Sequence, residues 1–150
     1  MNFGLAVTIT PEVQDKSIII HSLSDDLNFF FKNKDYGNDV KSYTIGVHCQ
    51  NVPPGFEKFS KLPKPSYTKG KKTINPDGIP FTFEDSFEHS IKLDFETFKN
   101  SSEVEAKKYL AQEILKSLDI IETMMAKIKD FDFLTFRTDL ENYFQEKDLI

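Results

Sequence analysis

The sequence predicts an α+β fold: a small, largely antiparallel or mixed sheet of three to four strands, with two long helices and one short C-terminal helix packed on one face. Two observations carry that expectation. Between Ser101 and Lys129, Leu110, Ile114, Leu118, Ile121, Met125 and Ile128 recur at steps of three and four, which on a 3.6-residue period makes one apolar stripe along a long helix. Elsewhere Phe3, Leu5, Val7 and Ile9, then Tyr43, Ile45, Val47 and Cys49, then Phe87, His89, Ile91, Leu93 and Phe95 fall at every second position, as in strands with one buried face. One-faced helices and one-faced strands bury each other, so the order β-α-β-loop-β-α-α gives a single helical layer on a sheet.

The first strand ends at Pro11, which suits the first turn of a helix, with Thr10 as cap and Glu12 in that turn. From Glu12 to Asn33, Val13, Ile20, Leu23, Leu27, Phe30 and Phe31 return at helical spacing. The consecutive Ile18, Ile19 and Ile20 would favour a strand over Ser17–His21, but the length of the pattern decides for a helix. Lys34 to Asp39 is a turn cluster, with Gly37 where a helix would end. Val40 to Gln50 reads as a strand with His48 facing away from Tyr43. Residues 51–80 hold six Pro and three Gly without clear period, and a connection that long is usually functional or mobile. Phe81 and Phe83 open a strand that bends near Asp85, ahead of the Phe87–Phe95 run. Ser102 caps the long helix and Glu105 completes a capping box, with Lys107, Lys108, Glu113, Lys116, Asp119, Glu122 and Lys127 mostly on the wet side. Asp132 caps the last helix, flanked by the staple pair Phe131 and Phe136, and Phe136, Leu140, Tyr143 and Phe144 form its apolar side.

The chain of 150 residues is one domain's worth, 1–150, large enough to bury a core without staples. With 39% hydrophobic and 29% charged residues it is not a disordered chain. Cys49 is the only cysteine, which excludes an internal disulfide and a cysteine-built zinc site and points to a reducing compartment. The N-terminal MNFGLAVTIT lacks the basic start and apolar length of a signal peptide. No window approaches the roughly 18 apolar residues of a membrane span. Cytoplasmic residence and no membrane partner are the expectation. Arg137 is the single arginine beside eighteen lysines. Without the guanidinium fork that reads phosphates and base edges, sequence-specific nucleic-acid binding is disfavoured.

The formal net charge of −5 is unevenly placed. Residues 1–50 are net −2, residues 51–83 net +4 and residues 84–150 net −7, so a basic island lies in an acidic chain. Within it Phe56, Phe59 and Tyr67 are interleaved with Lys58, Lys61, Lys64, Lys69, Lys71 and Lys72, and Glu84, Asp85 and Glu88 follow. Such a tract can track a phosphate backbone and stack bases, or it can ring aromatic anchors with charge at a protein interface. Its aromatics can also simply tuck onto the core. The acidic remainder would repel nucleic acid, which favours a protein partner and makes these twelve residues the candidate binding set. No catalytic, cofactor or metal residues are assigned. His21, His48 and His89 are far apart, and a strand sends His48 and Cys49 to opposite faces. Carboxylate pairs such as Asp25-Asp26 could serve acid/base chemistry, and a small hydrolase using Glu84, Asp85, Glu88 and His89 is the alternative from another class. Cys49 and the serines lack a nucleophile-elbow context, and Gly70-Lys71-Lys72 lacks the second glycine and following helix of a phosphate loop.

Three short stretches, taken together, resemble a known family. They are the turn Lys34-Asp35-Tyr36-Gly37-Asn38-Asp39-Val40, the strand Ile91-Lys92-Leu93-Asp94-Phe95 leading through Glu96-Thr97-Phe98 into the capped helix, and Lys129-Asp130-Phe131-Asp132. They resemble small bacterial immunity proteins of polymorphic toxin systems, the immunity protein forty-four family, over residues 1–50 and 85–147. The resemblance implies a cytoplasmic, non-enzymatic protein that binds and neutralises a cognate toxin. Acidic faces would suit a nuclease toxin by mimicking nucleic acid, whereas the lysine loop would suit an acidic cleft.

Overall fold

The computed structural model describes residues 1–70, 72–74, 80–82 and 85–150, with side chains for all of these outside 71–84. In chain order the elements are β1 (Asn2–Ile9), a 3-10 turn (Pro11–Lys16), α1 (Ser17–Phe31), β2 (Ser42–Cys49), a second 3-10 turn (Glu57–Ser60), β3 (Ser66–Thr68), β4 (Lys72–Ile74), β5 (Pro80–Thr82), β6 (Ser86–Lys92), α2 (Phe95–Asn100), α3 (Glu103–Met125) and α4 (Phe133–Glu146). The fold is α+β with a mixed sheet in the order β1-β2-β6-β3, while β4 and β5 pair as a separate antiparallel hairpin. Three of the four strands are parallel, with Phe3 opposite Tyr43 and Tyr43 opposite Phe87. Only β3 runs the other way, Tyr67 opposite Phe87. Parallel neighbours need a crossover of a dozen residues or more. The first crossover contains α1, and the second is the long connection between β2 and β6.

Period-two alternation gives the sheet its two faces. Phe3, Leu5, Tyr43, Ile45, Val47, Cys49, Phe87, His89 and Ile91 are buried under the helices. Phe136 of α4 stacks on Tyr43 with ring centroids 5.1 Å apart and touches Phe3 and Phe31, so strands and helices share one aromatic core. On the other face small and polar residues such as Thr44, Gly46, His48, Glu88 and Ser90 are half-buried or exposed. Helix α1 also closes the outer border of the sheet. There Ser24 Oγ accepts from Leu5 N–H at 2.8 Å and donates back to Leu5 O at 3.4 Å.

The two late helices start where capping chemistry requires. Ser102 and Glu105 form the reciprocal capping box of α3, and its stripe of Leu110, Ile114, Leu118, Ile121 and Met125 is buried. The Asp132 carboxylate accepts from Thr135 N–H at 3.1 Å, and Phe131 meets Phe136 across the start of α4. Arg137 then ties α4 to α3, with its guanidinium 2.6 Å from Asp119 and 3.1 Å from Glu141.

Several boundaries differ from the sequence expectation. The helix expected from Glu12 begins at Ser17, because Val13 leaves helical geometry (φ −123°) and splits off a 3-10 turn. Thr10 makes no cap hydrogen bond. The expected 101–129 helix is trimmed to Glu103–Met125. The strand expected to reach Phe95 stops at Lys92, since Asp94 caps α2 by accepting from Thr97 N–H and draws Phe95 into that helix. Part of the stretch read as irregular holds the second 3-10 turn and β3. Phe81 lies in the β4–β5 hairpin, and Phe83 lies outside the described residues. Gly37 does not end α1, which stops at Phe31. It sits at φ +128° against the 129–132 turn, where an added Cβ would lie 2.2 Å from Asp130 O. Around it the two turns exchange hydrogen bonds: Asp39 N–H to Asp130 O, Asp130 N–H to Asp39 Oδ2, Asn38 N–H to Asp130 Oδ2, and Asp132 N–H to Tyr36 O. Two of the stretches that carry the family resemblance thus lock onto each other.

Candidate partner-binding loop

Beyond the C-terminal ends of β1 and β2 the chain folds into a tight, self-satisfied turn. Pro53 O accepts from Phe56 N–H, Phe56 O accepts from Phe59 N–H, and Ser60 Oγ donates to Glu57 O. Gly55 supplies φ +91°, and its N–H donates to the Glu57 carboxylate, which is held below the usual carboxylate range first by a bond to its own amide and then by the one from Gly55. With the backbone partnered locally, Phe56 and Phe59 project outward. They are 54% and 71% exposed, their centroids are 5.9 Å apart, and Lys58 Nζ stands 5.0 Å over the Phe59 ring. With Thr10, Gln50, Asn51, Val52, Pro53 and Ser60 they wall a hollow of about 250 Å³. Asn51 Nδ2 donates to Glu12 at 3.2 Å, fastening the loop to the first 3-10 turn.

The chain then crosses the open face of the sheet. Lys61 and Lys64 are exposed. Pro63 and Lys64 border a second hollow of about 160 Å³ with Thr44, Gly46, Glu88 and Ser90. Glu88 lies on this face and accepts from Ser66 Oγ at 3.1 Å. At the opposite end of the sheet Tyr67 OH donates to Asp39 O, Lys69 Nζ pairs with Asp39 at 2.5 Å and lies 3.9 Å from Asp85, and Gly70 N–H donates to Asp85. Hydrogen bonding to Asp39 raises the Lys69 ammonium pKa, and the same contact lowers that of Asp39.

The structure therefore divides the candidate set. Phe56, Lys58, Phe59, Lys61 and Lys64 share an exposed tract, whereas Tyr67, Lys69 and Asp85 are engaged within the fold. Lys72 lies in β4, and Lys71 and Glu84 lie outside the described residues. The hollow beside Phe56 and Phe59 was not legible in the sequence. Thr10, read there as a cap, lines it, and its Oγ1 is buried without a hydrogen-bond partner among the described residues.

The described members of the hydrolase set do not converge. His89 faces the core, between Tyr43 OH at 3.1 Å from Nδ1 and Ser117 Oγ at 2.9 Å from Nε2. Ser117 gives its own proton to Ile114 O, so it accepts from Nε2–H, and Nδ1 accepts from Tyr43. Burial holds this imidazole neutral, with its pKa pushed down to about 4. Glu88 projects from the opposite face of the same strand, and Asp85 sits at its start. Burial first, then the Asp94 carboxylate, pushes the Cys49 thiol up to about 11. Among the described residues no three His, Cys, Asp or Glu side chains gather to hold a metal ion, and no helix is long and apolar enough to cross a membrane.

Fold and loop define a class: a mixed-sheet α+β protein whose paired exposed aromatics stand in its most basic segment. The family follows from comparison, for the sequence profile described as Immunity protein 44 matches residues 1–146, and the chain belongs to that family. The match runs through residues 51–84, the part at which the likeness of short turns breaks off. No curated protein and no solved structure matches the chain.

Proposed function

We propose that this chain is the immunity partner of a cognate bacterial toxin in a polymorphic toxin system, that it acts in the cytoplasm, and that it neutralises by stoichiometric binding without a catalytic step. The observation that carries this reading, beside the family, is the exposed aromatic and lysine tract from Phe56 to Lys64 on a well-packed scaffold. An inhibitor needs a rigid support, a charged surface for fast capture and a few buried anchors for slow release. Its C-terminal part, net −7 over residues 84–150, would suit the basic substrate channel of a nuclease, which makes a nuclease the first toxin class to test.

The test is to purify the chain with the toxin encoded beside it and titrate one against the other. Inhibition that saturates at one equivalent is the expected result. A toxin that stays active with excess chain, or one inactivated by a small fraction of an equivalent, would overturn the reading.

A further inference from the structure

We infer that the hollow walled by Phe56 and Phe59 takes one large apolar side chain of the toxin, presented on a segment whose flanking carboxylates meet Lys58, Lys61 and Lys64. This rests on the proposed binding of a toxin and names the patch of toxin surface that is bound.

Three observations point to that occupant. First, the size selects a side chain: at about 250 Å³ the hollow is below the roughly 300–1,000 Å³ of small-molecule pockets. Second, the apolar surface is paired and presented. Of the other exposed large apolar side chains, Ile18, Phe29, Val104, Ile120 and Leu134 stand on helices and Ile150 is the last residue, positions where single exposed apolar residues are ordinary. Phe56 and Phe59 lie within ring contact of each other on a turn with local backbone hydrogen bonds. Aromatics packed around a small pocket are the usual anchors of an interface.

Third, the segment that carries the two rings is mostly basic, and Glu12, which approaches it from the first 3-10 turn, is held by Asn51 Nδ2. Glu57 is the single acid between residues 51 and 70, and it is folded back onto Gly55 N–H. Lys69 is paired with Asp39 and Asp85. Lys58, Lys61 and Lys64 have no ion-pair partner among the described residues and are exposed. Lys58 stands over Phe59 and Lys61 follows Ser60, whereas Lys64 borders the second hollow beside Glu88, so the lysines run outward from the pocket along the tract. Such a tract attracts carboxylates and repels a basic surface. A nuclease toxin would therefore be gripped beside its phosphate channel, by an acidic and apolar segment of its surface.

The experiment measures association and dissociation of the toxin encoded beside this chain with the wild type, the Phe56→Ala/Phe59→Ala variant and the Lys58→Glu/Lys61→Glu/Lys64→Glu variant, at two salt concentrations. All the altered side chains are exposed, and unchanged melting curves confirm that both variants fold. The double alanine variant is expected to bind at least about thirtyfold more weakly, mostly through faster dissociation. The lysine reversals are expected to slow association about tenfold or more and to weaken or reverse its decline with salt. Wild-type neutralisation that both variants retain in full would overturn this inference while leaving the proposed function standing. Failure of the wild type to bind would instead sink the function itself. A wild-type dimer that the alanine variant dissolves would assign the hollow to self-association and overturn the inference as well.

Discussion

Two glycines with positive φ mark two turns that differ in use. Gly37 is clamped against the Asp130 backbone, and the polar groups around it are exchanged between the 34–40 and 129–132 turns. Gly55 has nothing within 4 Å of where a Cβ would sit, and beside it two phenylalanines face outward. Both turns need the left-handed backbone that glycine adopts freely. One is closed by the protein's own groups, and the other leaves its side chains for something else. The contrast separates residues that hold the fold from residues available for recognition.

The contrast can be broken most directly at Gly37. Gly37→Ala should cost about 3 kcal/mol or more, since strain and a clash with backbone add, and urea unfolding would read it. Acid should expose the buried polar chain nearly as strongly. His89 is kept neutral, so as pH falls the unfolded chain takes up the proton first. Its contribution is complete above the ordinary histidine value near 6.5 and is lost progressively down to about 4. The loss is about 3 kcal/mol at the low end, seen as a difference in pH dependence between wild type and His89→Gln. Ser117→Ala, which strands Nε2–H of His89, should cost about 2 kcal/mol at neutral pH by the same unfolding measurement. Gly55→Ala should cost only about 1 kcal/mol, the backbone strain alone. Phe56→Ala and Phe59→Ala should change thermal stability by no more than about 0.5 kcal/mol each. If Gly55→Ala cost as much as Gly37→Ala, the division between the two turns would fail.

What could be read in the sequence was what is local. The capping box at Ser102 and Glu105, the Asp132 cap with its staple, and the alternation of β2 all depend on residues within a few positions of one another. The break at Val13 escaped because the helical spacing continues through it. The end of β6 escaped because Phe95 keeps the period of two while Asp94 turns the chain. Strand order depends on contacts far apart in sequence, and nothing local distinguishes a parallel β1–β2 pair from an antiparallel one. The same limit divides the candidate site. Phe56, Lys58 and Phe59 are displayed by a turn of their own making. Tyr67 and Lys69 look equally available in sequence, yet the chain's return brings them to Asp39, about thirty residues upstream.

The serine that bridges α1 to the border of β1 bears on solubility. An outermost strand usually offers a row of free amides and carbonyls on which a foreign strand can zip up. Here both backbone groups of Leu5 are already held by Ser24 at the middle of that row. Growth by strand addition is closed off at Leu5, where an incoming strand meets a serine of α1 in place of free backbone groups.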